Sequence, residues 1–184
     1  DLSIIKDGPS ERRRFVDMEL CQLDSFYLYN LHNYNKIVNQ RNVLFKDLFF
    51  QPELRETLHI WDSQIVSFGS KIIERRKVFA EQLNDIIYDI HYKLSGGREE
   101  IKVIYEPDVE IEDFEKSLRY SQDKDIKLKQ TTVGPHRDDF SFYVGGIDIR
   151  KFGSQGQQRT AALSLKLSEI ELVKRITKDT PILL

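Results

Sequence analysis

Apolar residues recur at steps of three and four from Val16 through Leu20, Leu23, Tyr27, Leu31 and Tyr34 to Val38. This spacing makes one face of a 3.6-residue helix apolar. It predicts a helix from just after Gly8-Pro9-Ser10 to about Phe49. A longer run follows Pro52, with Leu54, Leu58, Trp61, Ile65, Phe68, Ile72, Phe79, Leu83, Ile86, Ile90 and Leu94 in a spacing close to a heptad seam, closed by Ser95-Gly96-Gly97. Two arms of about 40 residues at ~1.5 Å per residue would each be about 60 Å long, and a short connection at Gln51-Pro52 forces them antiparallel. Gly69 lies inside the second run, where it costs about 1 kcal/mol relative to alanine and marks a candidate bend.

From Ile101 the period changes to two. Ile101, Val103 and Tyr105 alternate with polar neighbours, and Ile111, Phe114 and Leu118 then suggest a short helix. Residues 127–150 read as strands and turns, with Phe140, Phe142 and Val144 alternating between the breaks Gly134-Pro135 and Gly145-Gly146, as in a hairpin. A last helix opens at Ser154. It carries Ala161, Ala162, Leu163, Leu165, Leu167, Ile170, Leu172 and Val173, apolar on so many faces that it implies burial in a larger body. The five prolines, Pro9, Pro52, Pro107, Pro135 and Pro181, each separate segments of different periodicity.

Composition narrows the classes. The 184 residues suffice for one substantial core with an extension. With 28 Lys and Arg against 30 Asp and Glu, the formal charge is −2, so any nucleic-acid contact has to come from a local patch. One cysteine, Cys21, excludes an internal disulfide and fits a reducing cytosol. No apolar run approaches the ~20 residues of a membrane helix. The chain opens on Asp1-Leu2-Ser3 and closes on Pro181-Ile182-Leu183-Leu184, which reads like the first half of a buried strand; both ends suggest an excised piece.

The segment Phe152-Gly153-Ser154-Gln155-Gly156-Gln157-Gln158-Arg159-Thr160 sets small and amide-bearing residues at the start of a helix. There, unpaired N–H groups and the positive end of the dipole suit an anion such as phosphate. Ser154 with Gln157 three residues later is equally a capping box, the ordinary way to begin a helix. No Gly-Lys-Ser/Thr phosphate loop occurs, Gly69-Ser70-Lys71 having neither its order nor its context. Asp138-Asp139 follows Gly134-Pro135-His136-Arg137 rather than an apolar strand, so it does not supply a metal-organising carboxylate. Phosphoryl transfer by this stretch alone is not expected.

Ser154-Gln155-Gly156-Gln157 resembles the signature motif of ABC-type ATPases, with Gln155 where the first glycine of LSGGQ would stand, and the run through Leu167 resembles the RecF family's version. Three further blocks are similar to that family and in its order: Gly8-Pro9-Ser10 with Arg12-Arg13-Arg14-Phe15-Val16-Asp17, Gln40-Arg41-Asn42, and residues 131–139. The resemblance implies a mixed α/β, helix-dominated fold, a long antiparallel helical lid attached to part of an ABC/SMC-like ATPase head. On that view residues 1–9 are an edge of the head, 10–125 the lid with a small mixed α/β portion, and 126–184 the return to the head with strands and signature helix. It further implies a cytoplasmic DNA replication, repair and recombination protein of the SOS response that binds ATP with Mg2+ when intact. Such a protein dimerises so that Ser154, Gln155, Gly156 and Gln157 meet the nucleotide of the opposite protomer. It binds DNA at gaps and single-strand/double-strand junctions, and works with a RecR-type partner to help load recombinase. The tail at Pro181 would then lead towards carboxylates beyond the chain. No bound cofactor or metal is expected for these residues by themselves.

Candidate DNA or partner contacts are Arg12, Arg13 and Arg14 at a helix start, where cations oppose the dipole, the run Arg75, Arg76 and Lys77, and His136 with Arg137 after a Gly-Pro turn. Each has a plainer reading: ion pairs with Glu11, Asp17 and Asp24 for the first set, a solvated face for the second, and internal pairing with the nearby carboxylates for the third. His32, His59 and His91 lack metal-ligand spacing and read as structural or solvated. Two alternatives stay open: a non-enzymatic helical protein-interaction module whose signature is only a capped helix, and the head of another SMC-like ATPase.

Overall fold

The computed structural model describes residues 3–177. The elements in order are α1 (Ser3–Lys6), α2 (Pro9–Leu23), α3 (Ser25–Asp47), a 3-10 turn (Pro52–Thr57), α4 (Leu58–Leu94), β1 (Ile101–Glu106), a 3-10 turn (Ile111–Asp113), α5 (Phe114–Leu128), a 3-10 turn (Pro135–Arg137), β2 (Asp139–Val144), β3 (Ile147–Asp148), α6 (Ile149–Phe152) and α7 (Gln155–Thr177). The mixed, helix-dominated fold class holds. The strand expected at Pro181–Leu184 lies outside the described residues.

The chain divides into two compact units, one built from residues 1–23, 76–106 and 139–184, the other from 24–75 and 107–138. The first unit is mixed. Its sheet has the order β1-β2-β3, with Ile101 opposite Val144, Val103 opposite Phe142 and Glu106 opposite Asp139. The odd residues of β1 and the even residues of β2 send Ile101, Val103, Phe140, Phe142 and Val144 into the core, as period two requires. There they join Val16 and Leu20 of α2, Phe79, Leu83, Ile86 and Ile87 of α4, and Ala161, Leu165 and Leu172 of α7, all buried. Gly145 and Gly146 (φ 56° and 80°) turn β2 into β3, the left-handed pair that a tight hairpin selects. Asn84 of α4 stitches the edge of β1 to the helix, its amide donating to the Val103 carbonyl at 2.7 Å and accepting from the Val103 N–H at 2.8 Å.

The second unit is helical. Contacts of Asp24 with Arg75, Tyr29 with Phe68, and Arg41 with Asp62 make α3 antiparallel to the first half of α4. Leu44, Phe45 and Leu58 are buried together, with Leu48, Leu54, Trp61 and Ile126 packed around them. The single helix expected from just after Gly8-Pro9-Ser10 to about Phe49 is in fact two. At Asp24 the backbone is extended (φ −143°, ψ 101°), and the Asp24 carboxylate accepts from the Phe26 and Tyr27 N–H groups, each at 3.0 Å, so it caps the start of α3. The second arm starts later than its apolar pattern, at Leu58, because Pro52 opens a 3-10 turn instead. Gly69 does not interrupt α4. A Cβ there would come within 2.5 Å of the Phe114 ring, so the glycine serves close packing.

A buried polar network closes this unit. Arg41 donates from Nε to Asp62 (2.8 Å) and from one terminal nitrogen to Asp125 (2.7 Å) and to the Thr131 hydroxyl (3.1 Å), while its guanidinium lies 4.7 Å from the Phe45 ring centre. Asp125 also accepts from the Thr132 N–H and hydroxyl, and Asn42 accepts from the Thr131 N–H and hydroxyl. The blocks Gln40-Arg41-Asn42 and Thr131-Thr132 therefore meet in space and hold α3, α4 and α5 together.

Candidate functional site

Ser154, Gln155 and Gly156 are exposed at the entrance to α7, and Gln157 is half-buried. Gly153, whose Cβ would lie 2.7 Å from Ile149, lets the chain leave α6 tightly enough to begin this helix. The capping box forms: the Ser154 hydroxyl oxygen accepts from the Gln157 N–H at 3.2 Å, and the Gln157 side-chain oxygen accepts from the Ser154 N–H at 3.0 Å. The N–H groups of Gln155 and Gly156 belong to the first helical turn, out of reach of any intrahelical carbonyl, and stand at the positive end of the dipole. A Cβ at Gly156 would meet only the Ser154 hydroxyl, at 3.8 Å, so nothing among the described residues requires glycine there. The box occupies the Ser154 and Gln157 N–H groups and leaves the two between them, so capping at this helix start does not exclude an anion.

The remainder of α7 is anchored. Gln158 donates to the Ile149 carbonyl at 2.9 Å. The buried Ser164 hydroxyl donates to the Thr160 carbonyl and lies 2.9 Å from the His91 ring Nδ1. Burial holds the His91 imidazole below its ordinary value against the opposing pull of Glu99, and its Nε2 has no hydrogen-bond partner. Glu169 lies beside Glu19 of α2; burial first, and the Glu19 charge second, push its carboxyl up to about 7, despite Lys166 at 3.0 Å. Leu163 and Leu167 are exposed on α7, and Phe152 just before it is 77 % exposed.

The other nominated residues separate into engaged and exposed groups. Arg12 is buried, with Nε and a terminal nitrogen on Asp139 at 2.6 and 3.0 Å and the other terminal nitrogen on the Asp7 carbonyl. Arg13 is half-buried, and Arg14 is exposed with Glu11 3.7 Å away. Arg75 pairs with Asp24 and buried Arg76 with Asp17, each at 2.8 Å, while Lys77 is exposed. His136 sits between the Tyr34 hydroxyl (2.7 Å) and the Thr131 carbonyl (3.0 Å), and Arg137 beside it is exposed. The acidic pair is committed elsewhere: Asp138 accepts from the Asp108 N–H, and Asp139 receives Arg12 and Arg150. Among the described residues no group of three or more His, Cys, Asp or Glu is placed to hold a metal ion, and no helix is long and apolar enough to cross a membrane.

One participant was not anticipated. Glu99, in the loop after α4, accepts from the Gln157 side-chain nitrogen at 2.8 Å. Its separation from the signature in sequence gave no signal.

No family model matches the chain. Relatives match it from end to end. The DNA replication and repair protein RecF of Lachnoclostridium phytofermentans is 60% identical over 184 residues, and that of Lachnospira eligens 63% over 186; each alignment takes in 100% of this chain and 51% of the relative. The chain thus spans about half the length of the curated relatives it matches. Two solved structures of the recombination mediator protein RecF in the RecFOR pathway, one described as RecF-ATP and one as RecF-ATPrS, superpose with TM-scores of 0.93 and 0.91 at 34% identity, over 98% of this chain and 51% of theirs.

Proposed function

Because its residues belong to the RecF family along the whole chain, we propose that the protein acts in DNA replication, repair and recombination as an ATP-dependent mediator. These residues supply its signature surface. Ser154, Gln155, Gly156 and Gln157 face the nucleotide bound by a second protomer, so that ATP closes a homodimer around a composite site. The carrying observation is Gly156, an exposed first-turn glycine that no contact among the described residues requires. A glycine there lets an external group approach the backbone N–H groups closely, and a phosphate is the group that a helix start favours. The fit to Mg2+ is different, since Asp138 and Asp139 are both occupied by internal partners. In this reading the phosphate loop and metal-organising carboxylates come from outside these 184 residues, which do not hydrolyse ATP by themselves.

DNA at single-strand gaps and junctions, and a RecR-type protein, are the further partners in this proposal. The solved relatives are described within the RecFOR pathway, and of the nominated cations Lys77, Arg137 and Arg14, the last beside Glu11, are exposed where a phosphate could reach them. In the domain reading, 1–9 and 126–184 belong to the head and 10–125 to the lid, and the protein works in the cytoplasm.

Sedimentation of the full-length protein carrying this stretch, with and without ATP and Mg2+, tests the proposal. ATP is expected to convert monomer to dimer, and Ser154→Arg to abolish the conversion. A protein that stays monomeric with ATP, or a Ser154→Arg variant that dimerises normally, would leave the helix start as a cap on a non-enzymatic interaction module.

A further inference from the structure

We propose that Glu99 is a positioning residue for the signature segment, acting through the side chain of Gln157; this rests on the nucleotide-facing reading above. Gln157 uses both ends of its amide. Its oxygen accepts from the Ser154 N–H at 3.0 Å, and its nitrogen donates to Glu99 at 2.8 Å. A glutamine held at one end can rotate about its last torsions, whereas one held at both ends cannot, and a bond to a charged acceptor is stronger than a neutral one. Fixing Gln157 fixes Ser154 in turn. The Ser154 oxygen accepts from the Gln157 N–H, so the hydroxyl is held at the helix start beside the Gln155 and Gly156 N–H groups.

Glu99 is itself held. Ser95, at the end of α4, donates its N–H to the His91 carbonyl at 2.8 Å, and its hydroxyl oxygen accepts the Glu99 N–H at 3.2 Å. Gly96 and Gly97, with φ of 69° and 74°, supply the left-handed turn that brings the chain from Ser95 round to Glu99. A continuous series of bonds therefore runs from the last turn of α4 through Ser95, Glu99 and Gln157 to Ser154. Each member is placed before any ligand arrives, and pre-placed donors do not spend binding free energy on being ordered.

The test uses the full-length protein and reads ATP-dependent dimerisation as two quantities, the ATP concentration at half-maximal dimer and the final extent of dimer. Glu99→Ala is expected to raise the half-maximal ATP concentration about tenfold, as loss of one charge-assisted bond implies, with the final extent unchanged. Glu99→Gln keeps an oxygen acceptor for Gln157 and is expected to stay within about threefold of the parent. In a Gln157→Ala background Glu99→Ala is expected to shift the midpoint no further, because the two residues act through one path. A Glu99→Ala protein that melts at a lower temperature yet keeps the parent's ATP midpoint overturns the inference and makes Glu99 a structural loop residue. An additive shift in the Gln157→Ala background overturns it also. Ser154→Arg separates the two levels: if it abolishes dimerisation while Glu99→Ala is silent, only the Glu99 inference fails, and if it is silent, both fail.

Discussion

Arg41 carries a full charge at zero exposure, and its worth depends on what surrounds it. Two carboxylates and a hydroxyl are arranged around it, yet one terminal nitrogen has no partner, so the network is incomplete. Breaking such a cluster from one side is costlier than never having built it, because the remaining charges stay buried alone. Arg41→Met is accordingly expected to destabilise the protein by about 3 to 5 kcal/mol, read from the midpoint of urea denaturation. Arg41→Lys is expected to recover little, since an ammonium cannot reach Asp62, Asp125 and Thr131 from one planar fork. Asp62 would be the most affected neighbour: burial already raises its carboxyl above the ordinary value, against the opposing influence of Arg41.

At the scale of elements, Asp24 ends one helix and starts the next. Asp24→Ala removes the acceptor for two N–H groups and the partner of Arg75, and is expected to cost about 1 to 2 kcal/mol, measured by thermal unfolding. Between α2 and α7 the Glu169 carboxyl makes stability depend on pH. The folded Glu169 carboxyl binds its proton up to about 7, against 4.5 ordinarily, so between those values the folded state holds more protons than the unfolded one. Stability therefore falls as pH rises from about 4.5 to about 7 and then levels off. Glu169→Gln is expected to remove that slope, as seen in melting temperatures taken across the range. His91 works in the opposite direction. Its imidazole is held below 6.5 by burial, so the unfolded chain takes up the proton first, and stability is lost as pH falls below about 6.5.

These elements were unevenly legible. The alternations at Ile101-Val103 and Phe140-Phe142-Val144, the helix opening at Ser154 and its capping box all follow from local spacing, and local spacing is visible in a sequence. The break at Asp24 was missed because the apolar repeat runs through it from Leu23 to Tyr27, although an aspartate followed by serine is a cap signal. The apolar seam of α4 serves two cores. In the structure Leu58, Ile65 and Ile72 belong to the core of 24–75 with 107–138, and Phe79, Leu83 and Ile86 to the other unit. The basic run Glu74-Arg75-Arg76-Lys77 interrupts the repeat at this change, but helical phase is continuous through it, so the interruption reads as a solvated face rather than as a boundary. The ties among Arg41, Asp125 and Thr131, or between Glu99 and Gln157, lie too far apart along the chain for any periodicity to register.

For the whole molecule, a formal charge of −2 means that attraction to DNA depends on which cations are left free. Of the eight nominated residues, Arg12, Arg75 and Arg76 are spent on Asp139, Asp24 and Asp17, whereas Arg14, Lys77 and Arg137 are exposed. If Arg137 meets a phosphate, Arg137→Glu in the full-length protein is expected to weaken binding to a gapped duplex and to lower the salt dependence of log K by about 1. Arg76→Ala is expected to lower the melting temperature and leave that dependence unchanged. Fluorescence anisotropy over a range of salt concentrations separates the two.

Glu106 and Asp139 are opposed partners in the sheet, although residues 107–138 intervene between them. Asp108 closes the base of this excursion, its N–H on Asp138 and its carboxylate accepting from Gly134 at 3.0 Å. β1 and β2 are thus a plain hairpin whose loop has been enlarged into a helix-bearing insert. A two-residue turn would complete the same ladder, and the entropy of closing a loop rises only with the logarithm of its length. The hairpin ladder therefore sets no limit on the insert's length; the limit comes from the helical unit, to which the insert supplies Phe114, Asp125 and Thr131, so a graft between relatives has to carry Arg41, Asn42 and Gly69 along with it.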